Sequence, residues 1–103
     1  MIISSGYNIG APEVEAALLK HPAVAECAVV GWPDPERGQI VKAFVVLNEP
    51  TAASEETAEA LKAFVKATIA PYKYPRAIEF RAELPKTQTG KLQRFRLKQE
   101  ASA

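Results

Sequence analysis

Lys91 follows Gly90 directly, in the segment Pro85-Lys86-Thr87-Gln88-Thr89-Gly90-Lys91, and no acidic residue occurs from Lys86 to Lys98. A lysine carried by a glycine-containing loop is a mobile point charge, able to reach a phosphate or carboxylate held by other residues. The spacing approaches a phosphate-cradling loop of the form G-x-x-x-x-G-K-[ST] and departs from it twice. Pro85 stands at the first glycine and Leu92 at the Mg²⁺-binding hydroxyl. The segment therefore reads as a lysine delivered to a site built elsewhere. Other residue types of chemical interest read as structural. His21, the single histidine, precedes Pro22 at an expected helix end and suits a capping role. Cys27 lies among Ala and Val in an expected strand and suits the core. Glu13 falls in an expected first helical turn, where its charge complements the helix dipole. No Cys/His/Asp spacing has the form of a metal site, and no metal ligand is expected.

The elements that must position Lys91 follow from periodicity and turn residues. Met1–Ser4 is strand-like, with turns at Ser5-Gly6 and Gly10. Pro12 opens a helix whose apolar face holds Val14, Ala17 and Leu18, and His21-Pro22 ends it. Val24 to Val30 reads as a strand, then a loop through Pro33, Pro35 and Gly38, then a β-branched strand from Ile40 to Leu47. Ser54 is an N-cap for a helix carrying Leu61, Phe64, Val65, Thr68 and Ile69 at helical spacing up to Pro71. Ala77 to Arg81 is a short strand, and a polar helix is expected from Gln93 onward. This mixture without strict βαβ order predicts an α+β fold, a small mixed β-sheet with flanking helices.

The 103 residues suffice for one domain, and 48% hydrophobic content is enough for a core. No apolar run approaches the about 20 residues of a membrane span, and no signal peptide is visible. A single cysteine is compatible with a reducing compartment, so a cytoplasmic location is expected. Charge is uneven. Residues 1–60 carry 3 basic and 9 acidic groups, residues 61–103 carry 10 basic and 3 acidic. A field of this kind favours an anionic ligand or an acidic partner near the C-terminal half. A small basic module binding RNA or an acidic protein is one reading of that run. No RNA-binding motif is present and aromatic residues are not interleaved as a stacking platform, so no nucleic-acid partner is expected.

Five segments, in order, carry a more specific message. They are Ile2–Glu15 (IISSGYNIGAPEVE), His21–Val24 (HPAV), Pro33–Gly38 (PDPERG), Ala70–Arg76 (APYKYPR) and Leu84–Arg94 (LPKTQTGKLQR). With these segments the chain resembles the C-terminal domain of AMP-forming acyl-CoA synthetases, in the adenylate-forming superfamily, most like the medium-chain and aromatic-acid branch. The resemblance implies that residues 1–103 form the mobile lid domain, cut at a hinge, with a large N-terminal domain holding ATP, its Mg²⁺ and the carboxylic acid. It implies two half-reactions, acyl-adenylate formation and then thioester formation with CoA, with the domain rotating between them. Lys91 then matches the catalytic lysine of the first step. Ser5, Gly6 and Tyr7 match residues lining the pantetheine channel. Arg37, Lys66, Tyr74, Pro75 and Arg76 match contacts to the CoA nucleotide, Tyr74 as a stacking ring for adenine. Asn8 stands where many medium-chain relatives have Arg, and Gln39 where Glu is common. The loop from Pro85 to Lys91 resembles loops acetylated in relatives, which implies a lysine acetyltransferase and a deacetylase as partners. An adenylation-domain lid serving a carrier protein is the alternative within the superfamily.

Overall fold

The computed structural model describes residues 2–100. Two strands, β1 (Ile2–Ser4) and β2 (Tyr7–Ile9), form an antiparallel hairpin with Ile2 opposite Ile9 and Ser4 opposite Tyr7. The expected turn at Ser5-Gly6 is its two-residue connection. Both residues have positive φ, 49° and 84°, the pattern of a type I′ turn whose twist matches that of the strands. β2 is not legible in the sequence, because three residues give alternation too little length to register. The expected start of β1 at Met1 lies outside the described residues.

Helix α1 (Ala11–Leu19) follows, with Pro12 and Glu13 in its first turn. It leads into β3 (Val24–Asp34) and β4 (Gly38–Leu47), a long antiparallel pair in continuous register from Glu26–Val46 to Asp34–Gly38. β3 runs past the expected loop at Pro33. It is an edge strand, where a missing N–H is tolerated. α2 (Glu55–Thr68) then crosses back to β5 (Ala77–Phe80), which pairs in parallel with β4. A parallel return needs such a crossover, so one βαβ unit sits inside an otherwise antiparallel sheet of order β3-β4-β5. Ser54 caps α2 as expected, its Oγ accepting from the Thr57 amide at 3.1 Å. Ile69 is the C-cap in extended conformation, so α2 ends one residue short of the expected run.

Period-two alternation assigns the sheet's two faces. Val41, Ala43, Val45 and Leu47 of β4, with Cys27 and Val29 of β3, meet Val14 and Leu18 of α1, Leu61 and Val65 of α2, and Ile2 and Ile9 of the hairpin. Val24 joins this face despite its even number because an irregularity between Val24 and Glu26 inserts one residue. On the other face Ala28, Val30 and Phe44 pack against Leu84 and Leu97. Leu97 belongs to α3 (Arg94–Gln99) and is fully buried. The expected polar terminal helix is therefore a docked one, with a single apolar anchor that a six-residue pattern cannot reveal. The result is a small mixed α+β domain, as the sequence predicts.

Candidate functional site

The Lys91 turn is closed by backbone bonds at every level. Lys86 and Leu92 form an isolated antiparallel bridge, and the Gln93 amide donates to the Pro85 carbonyl at 2.9 Å. Inside this stem the Thr87 amide donates to Lys91 O at 2.8 Å and the Gly90 amide to Thr87 O at 2.9 Å. The Lys91 amide donates to Thr87 Oγ1 at 3.0 Å. Gly90 has φ 86°, which a glycine adopts without strain. Lys91 itself is exposed and, among the described residues, pairs with no carboxylate. Lys86, by contrast, is neutralised by Glu26 on β3. The turn thus presents one uncommitted ammonium.

A second group of predicted residues assembles elsewhere. Arg37 Nη1 donates to Ser5 Oγ at 2.8 Å, and the Ser5 amide donates to Arg37 O at 3.2 Å. Asp34 Oδ2 accepts from the Glu36 and Arg37 amides and fixes the β3–β4 loop. The Cβ position of Gly6 faces open space with nothing within 4 Å. Tyr7 stacks on Tyr72 with ring centroids 4.5 Å apart. Lys66 Nζ lies 4.2 Å and Arg76 Cζ 5.0 Å from the Tyr74 ring centroid, and Arg76 Nη1 donates to Tyr74 Oη at 3.0 Å. An adenine stacking on Tyr74 has to share the ring with these cations. Pro75 is fully buried and acts on the segment's placement. The Arg76 amide donates to Val41 O at 2.9 Å, which docks this segment on β4.

The Lys91 turn and the Ser5–Arg37 pair sit toward opposite ends of β3, while the Tyr74–Arg76 segment docks between them at Val41, which pairs with Gly31. The lysine turn is tied to β3 at Glu26, and the Ser5–Arg37 pair follows its last residue, Asp34. Eight residues of strand separate these points, about 26 Å at 3.3 Å per residue.

Residues that composition and spacing did not flag hold these ends in place. Glu15 is buried, 7% exposed. Its Oε2 accepts from the Val29 amide at 2.7 Å and from Arg94 Nε at 2.7 Å, and its Oε1 accepts from Arg94 Nη2. That hydrogen bond raises the affinity of the Arg94 guanidinium for its proton. Gln39, to which the sequence assigned no chemistry, accepts from the Ile3 amide at 3.1 Å and ties the hairpin to β4. The sequence shows Glu15 only as an acid near the start of an amphipathic helix; its partners come from β3 and α3. His21 is structural: its Nδ1 accepts from the Ala23 amide at 3.1 Å and its ring meets Phe64 edge-on. Glu13 pairs with Lys73. Burial, with a contribution from the Glu15 charge, pushes the Cys27 thiol up to about 12, so it is inert as a nucleophile at neutral pH. The described residues bring no three His, Cys, Asp or Glu side chains together as a metal site, and none of their helices is long and apolar enough to cross a membrane.

Comparison with known proteins assigns this small α+β domain to a family. The profile of the AMP-binding enzyme C-terminal domain matches residues 13–91, and the chain belongs to that family. The human mitochondrial acyl-coenzyme A synthetase ACSM1 is 53% identical over 102 residues, covering 97% of this chain and 18% of that protein. The uncharacterized acyl–CoA ligase YtcI of Bacillus subtilis is 56% identical, covering 95% of this chain and 18% of the relative. The crystal structure of an acyl-CoA synthetase from Brucella canis superimposes with a TM-score of 0.94 at 55% identity, covering 98% of this chain and 19% of that one. The chain therefore spans about a fifth of the length of the proteins it matches.

Proposed function

We propose that this chain is the C-terminal lid of an AMP-forming acyl-CoA synthetase, an acid–thiol ligase that converts a carboxylic acid and ATP to acyl-adenylate and then transfers the acyl group to CoA. Its relatives are about five times longer, which supports a large N-terminal partner domain holding ATP and the acid. Mg²⁺ would be held there with ATP. The observation that carries the reading is the placement of an uncommitted lysine and the Ser5–Arg37 pair toward opposite ends of β3, within a chain of this family.

In the first half-reaction two anions must meet, the carboxylate and the α-phosphate. Lys91 supplies positive charge where they do. In the second, Ser5, Gly6 and Tyr7 line the path of the pantetheine arm, with Gly6 leaving the space a side chain would take. Arg37, Lys66, Tyr74 and Arg76 contact the CoA nucleotide, Arg37 and Arg76 with forked donors suited to phosphate, while buried Pro75 sets the placement of Tyr74 and Arg76. Because about 26 Å of strand separates the anchor of the Lys91 turn from the Ser5–Arg37 pair, the two serve the reaction centre in turn, by rotation of the domain. Its cysteine usage fits a cytoplasmic enzyme, and Lys91 is exposed enough for a lysine acetyltransferase and deacetylase to act on it. The test is a pyrophosphate-release screen of the full-length protein against aromatic and medium-chain acids, with thioester formation followed in parallel. Release dependent on one acid class and thioester formed only with CoA support the ligase; acyl transfer to a carrier protein in place of CoA supports the adenylation-domain alternative. No release with any acid overturns both.

A further inference from the structure

The turn that carries Lys91 hangs from a short helix. α3 has six residues, and only one of them, Leu97, is buried. Its first residue, Arg94, lies three positions after Lys91 and one after Gln93, whose amide closes the stem on Pro85 O. Besides the Lys86–Glu26 pair and the packing of Leu84 and Leu97, Arg94 is a polar attachment of this assembly to the body of the domain. Its guanidinium engages both oxygens of Glu15, and Glu15 Oε2 also accepts from the Val29 amide at 2.7 Å. One carboxylate therefore joins α1, β3 and α3. The Glu15 side chain is only 10% exposed, so water competes poorly for it, while that of Arg94 is 43% exposed. The planar fork permits one orientation of Arg94, which an ammonium on a flexible stem does not enforce.

We infer that the Glu15–Arg94 ion pair is a clamp that sets the position of the Lys91 turn, so that Arg94 and Glu15 are positioning residues for the first half-reaction. The inference rests on the proposed function, in which Lys91 supplies charge to adenylation. A small displacement of a charge aimed at a reacting centre costs rate steeply, up to about 100-fold for 1 Å. The second half-reaction uses the other end of the sheet and is indifferent to where the turn points.

The test uses the full-length protein with Arg94→Lys, which keeps the charge and loses the fork, and with Glu15→Gln, which keeps an acceptor for the Val29 amide. Each half-reaction is measured separately by single-turnover kinetics, in the wild-type and in the Lys91→Ala background. Hydrogen exchange is read at the amides of Thr87, Gly90 and Lys91. The expected result is an adenylation rate lowered about tenfold or more in either variant. Thioester formation from supplied acyl-adenylate is unchanged, and the three turn amides exchange faster. In the Lys91→Ala background the same changes add nothing, because their effect passes through that lysine. Unchanged adenylation overturns the clamp. So does parallel loss of both half-reactions, which is what general loosening of the fold produces, and so does an undiminished penalty in the Lys91→Ala background. If instead Lys91→Ala alone leaves adenylation intact, it is the role of Lys91 that fails. The exchange rates then decide the clamp independently: faster exchange supports it and unaltered exchange overturns it.

Discussion

Under the proposed function, replacing Lys91 with alanine separates chemistry from folding. The backbone of Lys91 is held on both sides by Thr87, through Lys91 O at 2.8 Å and Thr87 Oγ1 at 3.0 Å, and alanine keeps both bonds. Gly90, which supplies the positive φ, is untouched. The side chain is exposed and makes no ion pair among the described residues. The melting temperature is therefore expected to stay at the wild-type value. The chemical effect is large. A unit charge 4 Å from a developing charge, at an effective dielectric constant of about 20, contributes about 4 kcal/mol. Water entering the vacated space returns part of this, leaving about 2.7 kcal/mol, or about 100-fold, the scale of losing one preorganised electrostatic group. Single-turnover formation of acyl-adenylate by the full-length protein should fall by that factor. Thioester formation from supplied acyl-adenylate should proceed at nearly the wild-type rate. Adenylation at the wild-type rate, or equal loss of both steps in a folded protein, refutes the role assigned to Lys91.

At the other end of the sheet, Arg37→Ala in the full-length protein should raise KM for CoA about five- to thirtyfold and leave KM for ATP little changed, since one charge-assisted contact is lost and Ser5 Oγ loses its donor; initial-rate kinetics with each substrate varied decides it. The chain alone, residues 1–103, should give the circular dichroism of an α+β fold and form no thioester with ATP, CoA and any acid, because in the proposed function ATP and the acid are held by the partner domain; any turnover contradicts the proposed division of labour. Cys27 should resist iodoacetamide at neutral pH until the protein is unfolded. Its folded thiol keeps its proton to about 12 while the unfolded one releases it near 9.0, so between those values the unfolded state binds fewer protons and stability falls as pH rises. Urea titrations from pH 8 to 11 should show a shallower alkaline loss for Cys27→Ala than for the wild type, and identical slopes would remove the thiol from the account.

Much of this fold can be read from residue order because local signals agree with tertiary need. Ser54 caps α2 since its hydroxyl reaches the Thr57 amide three residues on, a relation the sequence displays directly. β4 is equally plain, with Val41, Val45 and Leu47 at period two. The sequence misleads where a long-range contact decides the outcome. β2 exists because Ile2 and Ile9 meet across a type I′ turn and are buried together. β3 extends through Pro33 because β4 offers a partner for the whole of it. The site shows the same division. Lys91 and Arg37 stand out by residue type and flanking glycines, whereas Glu15 reads as one more acid in an amphipathic helix. Its partner Arg94 is 79 residues away, a pairing that only the docking of α3 creates. Tyr72 was passed over as well, since its value lies in stacking on Tyr7, 65 residues earlier in the chain.

The placement of the two cationic groups also constrains how the domain can alternate between them. β3 and β4 are paired without interruption from Glu26 to Asp34, so bending the sheet to bring its ends together would break consecutive ladder hydrogen bonds and expose the core on both faces. The whole domain measures 34 × 31 × 21 Å, little more than the about 26 Å of strand between the anchor of the Lys91 turn and the Ser5–Arg37 pair. An internal motion of loops cannot cover that span: the Lys91 turn is closed at its stem and the Ser5–Arg37 pair is fixed through Asp34. A reaction centre that needs both groups in succession must therefore meet the domain as a rigid body turned end over end. On this reasoning substitutions that stiffen the linker to a partner domain slow the exchange between half-reactions and leave each one, measured alone, intact.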